Sequence, residues 1–335
     1  MTLAGFSIDG FLIALVAVVG AAIVWPEVGA TGGPLAMNVV ASYGVAVIFF
    51  LYGLTLVPEK LRQGAANWRV HVVVQLATFV LFPVITLALI ATAGSLVPTD
   101  VALGFFLVGA LPSTVSSSVA MTSLARGNVP TAIFNATLSS LIGVFATPLL
   151  MAWYAAATNM AMPVLPVLVK VIGLVLVPIG VGQIARHWLA PWAQRHIRAI
   201  RLADRAIILA IVFNSFADSM VEGVWSGHDA TLLASITVGV CVLFFTVYGL
   251  LTLPCRWLGF DRGDTIACLF CGSKKSLATG LPMAKLMFGA SPALGLIIAP
   301  IMLYHFIQLV VVSMIATRHA RSDGVPTAQQ ESDPP

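Results

Sequence analysis

Between Thr131 and Val169 the chain contains no Asp, Glu, Lys or Arg, and the same holds from Val101 to Ala125. Hydrocarbon is spanned by about 20 residues of helix, so the first run has room for two crossings and the second for one. Composition agrees. A soluble domain carries about 25% charged residues, whereas this 335-residue chain carries 9% charged and 59% hydrophobic residues. Charge so sparse cannot cover a water-facing surface, and the expected fold class is an all-α polytopic membrane protein. A β-barrel would show short alternating segments, and these runs are continuous. The net charge of +4 is read through its distribution along the chain, and no nucleic-acid partner is expected.

Ten candidate spans emerge, at about 7–25, 37–57, 70–93, 100–125, 129–156, 163–185, 203–221, 230–254, 264–288 and 293–316. No basic segment precedes FLIALVAVVGAAIV, so this stretch reads as a first membrane helix and not as a signal peptide. Placing the 58–69 loop in the cytoplasm puts Lys60, Arg62, Arg69, Arg126, Arg186, Arg195, Arg198, Arg201, Arg205, Arg256, Arg262, Arg318 and Arg321 on one side. The opposite loops carry Glu27, Asp100, Glu222, His228 and Asp229 and no Lys or Arg. This is a positive-inside pattern with both termini cytoplasmic, as expected of a multi-pass protein of a bacterial-type inner or plasma membrane. One transmembrane domain is expected over 1–316, followed by a polar, disordered cytoplasmic tail over 317–335.

Four basic residues remain inside spans. Lys170 and Lys285 lie near the outer ends of theirs and are expected to snorkel to the interface. Lys274 and Lys275 lie near mid-span, where each costs at least about 2.5–3.5 kcal/mol on insertion scales. They either serve function or line a water-filled crevice.

Ten spans divide into five and five. Because five is odd, the second half is inverted relative to the first, with repeats at about 1–156 and 163–316. Such repeats are a common plan for secondary transporters, whose sites lie on discontinuous helices. The fourth span of each half has the residues for a break: GALPSTVSSSVAMT around Pro112, and CGSKKSLATGLPM with Gly272, Gly280 and Pro282 around the lysines. The following turns also match, RGNVP and FGASP. Proline removes a backbone donor, and backbone groups freed within a membrane must line protein or a cavity. Hydroxyl oxygens with freed carbonyls suit a hard cation, and half-helix N-termini attract anions. The alternative for Ser113, Thr114, Ser116, Ser117 and Ser118 is helix packing by small residues.

Further intramembrane polar residues are Gln75, Asn135, Ser139, Ser140, Asn214, Asp218, His305 and Gln308. Asn135 and Ser139 share a helix face. Asp218 is read as interfacial, and His305 as a packed, hydrogen-bonded histidine or a proton relay. Cys268 and Cys271 have a CxxC spacing without a second pair; they read as small apolar residues or a weak metal motif.

Three stretches in order, FFLYGLTLVPEKL at 49–61, LPSTVSSSVAMTSLARGNVPTAIFNATLSSLIGVFATPLL at 111–150 and FCGSKKSLATGLPMAKLMF at 270–288, resemble the bile acid:sodium symporter superfamily, and most closely its SBF-like branch. The resemblance implies ten helices in two inverted five-helix repeats, with helices 4 and 9 broken and crossing. It implies a core bundle at about 70–156 and 230–316 that moves against a panel at about 7–57 and 163–221. It also implies a symporter-like carrier of a small organic anion, with Na+ as the possible coupling ion and no other cofactor. The candidate substrate- and cation-binding residues are then Gln75, Ser113, Thr114, Ser116, Ser117, Ser118, Asn135, Ser139, Ser273, Lys274, Lys275 and Ser276. Within this set Ser117, Ser118, Asn135 and Ser139 would hold Na+. Sodium-coupled members carry a carboxylate on the broken ninth helix, where this chain has FCGSKKSL, and often Asn at the position of Ser118. Lysine fits the SBF-like branch and can stand in for a bound cation or carry a coupling proton, so sodium-coupled, proton-coupled and uncoupled transport all stay open.

Arsenite carriers of the superfamily have a cysteine on the broken fourth helix, and this one has none. No HExxH, GxSxG or Walker A motif is present, so neither an enzyme nor an ATP-driven pump is expected. A regulatory membrane protein that binds without transporting is the remaining class.

Overall fold

Apolar residues that leave no backbone group unsatisfied in hydrocarbon fold as helix, and the computed structural model is helical almost throughout. It describes residues 2–3, 6–7, 10–55, 66–94, 97–158, 169, 172–223, 226, 230–289 and 291–322. A two-residue antiparallel pair, Thr2–Leu3 with Phe6–Ser7, precedes the helices. These are α1 (Gly10–Val24), the single turn α2 (Pro26–Gly29), α3 (Met37–Thr55), α4 (Trp68–Ala93), α5 (Thr99–Ala110), α6 (Ser116–Leu124) and α7 (Val129–Ala157). They continue with α8 (Val177–Arg195), α9 (Ile197–Val221), α10 (Ala230–Trp257), α11 (Arg262–Gly272), α12 (Leu277–Phe288) and α13 (Leu294–Ser322). Among the described residues, six stretches are long and apolar enough to cross a membrane: α3, α4, α7, Gly173–Arg195, α10 and Leu294–Ala320. The protein is an integral membrane protein.

Helix boundaries depart from the sequence reading in three places. α8 runs to Arg195, ten residues beyond the expected end at 185. α9 begins at Ile197 instead of 203. α13 passes the expected domain boundary at 316 and ends at Ser322. In each case the extension carries arginines, and a helix that leaves the bilayer keeps its internal hydrogen bonds in water as well as in lipid. Hydropathy marks the membrane edge, not the helix end. Lys60, Arg62, Lys170, His228, Asp229 and the rest of the tail, 323–335, lie outside the described residues.

Two apolar stretches are interrupted. The 99–124 stretch breaks at 111–115, and the 262–288 stretch breaks at 273–276. Pro112 and Gly272 stand at these breaks, as expected. Gly280 and Pro282 do not break their helix; both lie inside α12. Pro282 removes one hydrogen bond and leaves the others intact. A third irregularity is a π-helical turn in α4, Ala77–Leu81, a feature that frees a carbonyl from the regular ladder and is frequent at functional sites.

Caps fix where helices start. Asn128 accepts from the Thr131 N–H at α7, Asp261 from the Asp264 N–H at α11, and Ser276 from the Thr279 N–H at α12, each satisfying an orphan donor. The Asp264 carboxylate in turn accepts from the Asn67 and Asn128 side chains at 2.7–3.0 Å. One acid therefore ties together the starts of α4, α7 and α11.

α3 packs on α8 and α9, and α9 on α1, α12 and α13; α13 packs also on α5, α10 and α12, and α11 on α4, α7 and α10. The α3–α8 contact is made by small residues. A Cβ on Gly53 would collide with the Ile179 carbonyl oxygen, and one on Gly182 with the Phe50 carbonyl oxygen. Such close approach is the usual basis of helix association in lipid. Gly182→Leu is expected to destabilise the protein by about 1–3 kcal/mol, the cost of overpacking, measured as a lower thermal midpoint in detergent. An unchanged midpoint would show that the two helices separate freely.

Candidate functional site

The two interruptions meet. The Ser276 N–H donates to the Pro112 carbonyl at 2.9 Å, bridging one break to the other through the backbone. The Ser113 hydroxyl donates to the Cys271 carbonyl at 2.6 Å, and the Ser118 hydroxyl to the Phe270 carbonyl at 3.1 Å. The last carbonyls of α11, which have no partner within their own helix, are thus satisfied by side chains of the opposite break.

Lys275 is fully buried. Its Nζ donates to the carbonyls of Thr78 and Gly109 at 2.8 Å each and to that of Leu111 at 2.7 Å. Three carbonyl acceptors match the three N–H groups of an ammonium. The Phe82 ring covers the same nitrogen, with its centroid 4.0 Å away, a cation–π contact inside the protein. The local irregularities explain the cage. Gly109 and Leu111 lie where α5 ends, and Thr78 lies in the π turn of α4.

The Lys275 backbone, outside any helix, is satisfied by one side chain. Gln308 of α13 accepts from the Lys275 N–H and donates to its carbonyl, both at 2.8 Å, and also contacts His305 Nδ1 at 2.9 Å. A primary amide is the one side chain that mimics a peptide in both directions. Four residues earlier, Tyr304 donates to the Ser273 carbonyl at 2.8 Å.

Lys274 is equally buried but held differently. Its Nζ donates to the Ser117 carbonyl at 2.9 Å. Ser117 is half-buried and Ser116 exposed, so this ammonium lies toward the start of α6 and the edge of the protein, while Lys275 points into it. Among the buried polar residues described, no Asp or Glu appears. The positive charge at the crossing is balanced by carbonyl dipoles and an aromatic face.

The expected residues divide accordingly. Ser113, Thr114, Ser117, Ser118, Ser273, Lys274, Lys275 and Ser276 come together at the crossing, and Ser139 joins them by accepting from the Ser113 N–H at 2.9 Å. Gln75 and Asn135 instead pair with each other, through Gln75 Nε2 to the Asn135 carbonyl at 3.2 Å, and Asn135 Nδ2 turns to the Thr131 carbonyl. Of the four residues expected to hold Na+, Ser117 and Ser118 both meet Thr114 Oγ1, each at 2.8 Å, and Ser118 also donates to the Phe270 carbonyl. Asn135 donates to Thr131 and Ser139 accepts from Ser113. A second set of convergent oxygens, the carbonyls of Thr78, Gly109 and Leu111, surrounds the Lys275 Nζ. Sequence reasoning missed these because every residue has a carbonyl. It missed Phe82 and Tyr304 because aromatic residues in an apolar run carry no signal of their own. Lys285 does not simply snorkel. It donates to Asn214 Oδ1 at 2.8 Å, joining α12 to α9. Asp218, one turn along α9, accepts from the Thr31 N–H and hydroxyl at 2.6 and 2.9 Å.

A profile of the SBF-like CPA transporter family matches residues 9–321. The chain is 40% identical to PA2026 of Pseudomonas aeruginosa over 93% of each chain. It is 35% identical to YfeH of Escherichia coli K12 over 97% of each chain. It is 31% identical to sodium/bile acid cotransporter 7 of Mus musculus, over 92% of this chain and 91% of the relative.

Gln308→Leu keeps most of the volume and leaves the Lys275 N–H and carbonyl unpaired. Each orphaned buried group costs about 1–3 kcal/mol, so the variant is expected to lose several degrees of thermal midpoint, read by unfolding in detergent. Gln308→Ala with an unchanged midpoint would mean that water replaces the amide.

Proposed function

The chain belongs to the SBF-like CPA transporter family, and on that premise we propose that it is a secondary active transporter of a small organic anion, with Lys275 holding the position of the coupling cation. The transporter works by alternating access with ten crossings arranged as two inverted five-helix repeats. The order of elements favours this plan. In each half a long helix (α4, α10) is followed by a broken pair (α5 and α6, α11 and α12) and then a second long helix (α7, α13). The helices α3, α8 and α9 form the panel against which this core moves.

The observation that carries the reading is the cage around Lys275. Three convergent carbonyls inside a membrane protein are a hard-cation site, and here a tethered ammonium fills it. A relative is named for sodium and bile acid, and an organic anion suits this chain, because two buried lysines at the crossing lack a carboxylate counter-charge among the buried polar residues described. Lys274, with one carbonyl on its ammonium and a place at the start of α6, is the lysine that meets the substrate charge. Its lighter solvation also favours it over Lys275 as the carrier of a coupling proton. No sodium is needed in this scheme.

Purified protein is expected to show no saturable, sodium-specific rise in thermal midpoint against potassium and choline controls. Lys275→Ala empties the cage and is expected to lower the midpoint and to create a sodium-specific recovery, since a ligand of the folded state stabilises by mass action. A saturable sodium effect on the wild-type protein overturns the tethered-cation reading. Taurocholate counterflow in liposomes tests transport itself. Uptake by Lys274→Met is expected to fall at least about tenfold, the loss of one charged contact worth about 1.4 kcal/mol or more.

A further inference from the structure

A groove of about 450 Å³ opens between the first turn of α4 and the last turn of α10, lined by Trp68, Arg69, Val72, Val73, Trp257 and Leu258. None of these residues belongs to the crossing. Trp68 and Trp257 are 63% and 81% exposed, which is far more than a packed tryptophan shows. The Arg69 guanidinium carbon lies 5.8 Å from the centre of the Trp68 ring. No Asp or Glu lines the groove. Starting at the groove, α4 presents Val72, Leu76, Val80 and Val84 at four-residue spacing, each 47–54% exposed. Four-residue spacing keeps one face of a helix, and twelve residues of rise make this stripe about 18 Å long. A cationic, aromatic mouth is thus continuous with a half-exposed apolar track of acyl-chain length.

We propose that the groove binds an anionic phospholipid from the leaflet at that end of α4. Arg69 takes the phosphate, the two tryptophans flank it at the interface, and one acyl chain lies along Val72, Leu76, Val80 and Val84. The chemistry of each part selects this occupant. Guanidinium pairs with phosphate through two parallel hydrogen bonds. Tryptophan favours the headgroup level, where its ring is half apolar and its N–H wet. Basic clefts between membrane helices favour anionic headgroups. A soluble anion would use Arg69 but leave the apolar stripe unused, and a neutral lipid would use the stripe but gain nothing from a guanidinium that no carboxylate accompanies among the described groove-lining residues. The stripe flanks the π turn of α4, whose Thr78 carbonyl holds Lys275, so the lipid lies against the reverse side of the helix that forms part of the cage.

The test uses the full-length protein purified in detergent, with its thermal midpoint titrated by phosphatidylglycerol, by phosphatidylcholine of the same acyl chains, and by inorganic phosphate. Phosphatidylglycerol is expected to raise the midpoint saturably, with phosphatidylcholine weaker and inorganic phosphate without effect. Arg69→Gln is expected to weaken the apparent phosphatidylglycerol affinity about three- to tenfold, the scale of one charge-assisted contact. Trp257→Ala is expected to weaken it as well, and Arg195→Gln, outside the groove, to leave it unchanged. Should Arg69→Gln not purify, Arg69→Lys keeps the charge, removes the paired hydrogen bonds and is expected to give a smaller loss in the same direction. Equal effects of the two lipids, an equal effect of inorganic phosphate, or an equal loss in Arg195→Gln would each overturn the proposal.

Discussion

The Lys275 ammonium and its three carbonyls are the constraint on which the rest of the crossing depends. A charge in the hydrocarbon must be paired or solvated by the protein itself, and no carboxylate is offered among the buried polar residues described. The fold answers with backbone. α5 stops early, so the carbonyls of Gly109 and Leu111 are released. α4 passes through a π turn, so the Thr78 carbonyl is released. Phe82, at the end of that turn, closes the remaining side. Two departures from regular helix, each costly alone in lipid, bring three carbonyls to one nitrogen and are satisfied by it. The lysine holds the breaks together as much as the breaks hold the lysine.

Adjacent positions with identical side chains end in different environments because they lie in non-helical chain. Lys275 points inward and is fully coordinated, while Lys274 turns toward α6 and rests on the Ser117 carbonyl alone. The first is held by three carbonyls and an aromatic ring, the second by a single carbonyl.

Two polar clusters tie the helices at opposite ends. Asp264 gathers Asn67 and Asn128 where α4, α7 and α11 begin. The second cluster links Asn214 of α9 to Lys285 of α12, while Ser219, further along α9, accepts from the Gly295 N–H and donates to the Pro292 carbonyl. The Asp264 cluster joins α4, α7 and α11, and the Asn214 cluster joins α9 to α12.

The sequence by itself determined the class of the protein. Charge-free runs longer than a bilayer crossing admit only membrane helices, and Pro112 followed by hydroxyl residues marked one break because proline cannot donate. Gly272 beside Lys274 and Lys275 marked the other, since a mid-span charge is costly in lipid. Gly280 and Pro282 misled, because a single missing hydrogen bond bends a helix without ending it. Tertiary structure alone decided which lysine is caged and what does the caging. Carbonyl oxygens are present at every residue and leave no trace in composition or spacing. Only the crossing of two interrupted helices, with a π turn beside them, brings three of them to one point, and only then does the partner of a buried charge become defined.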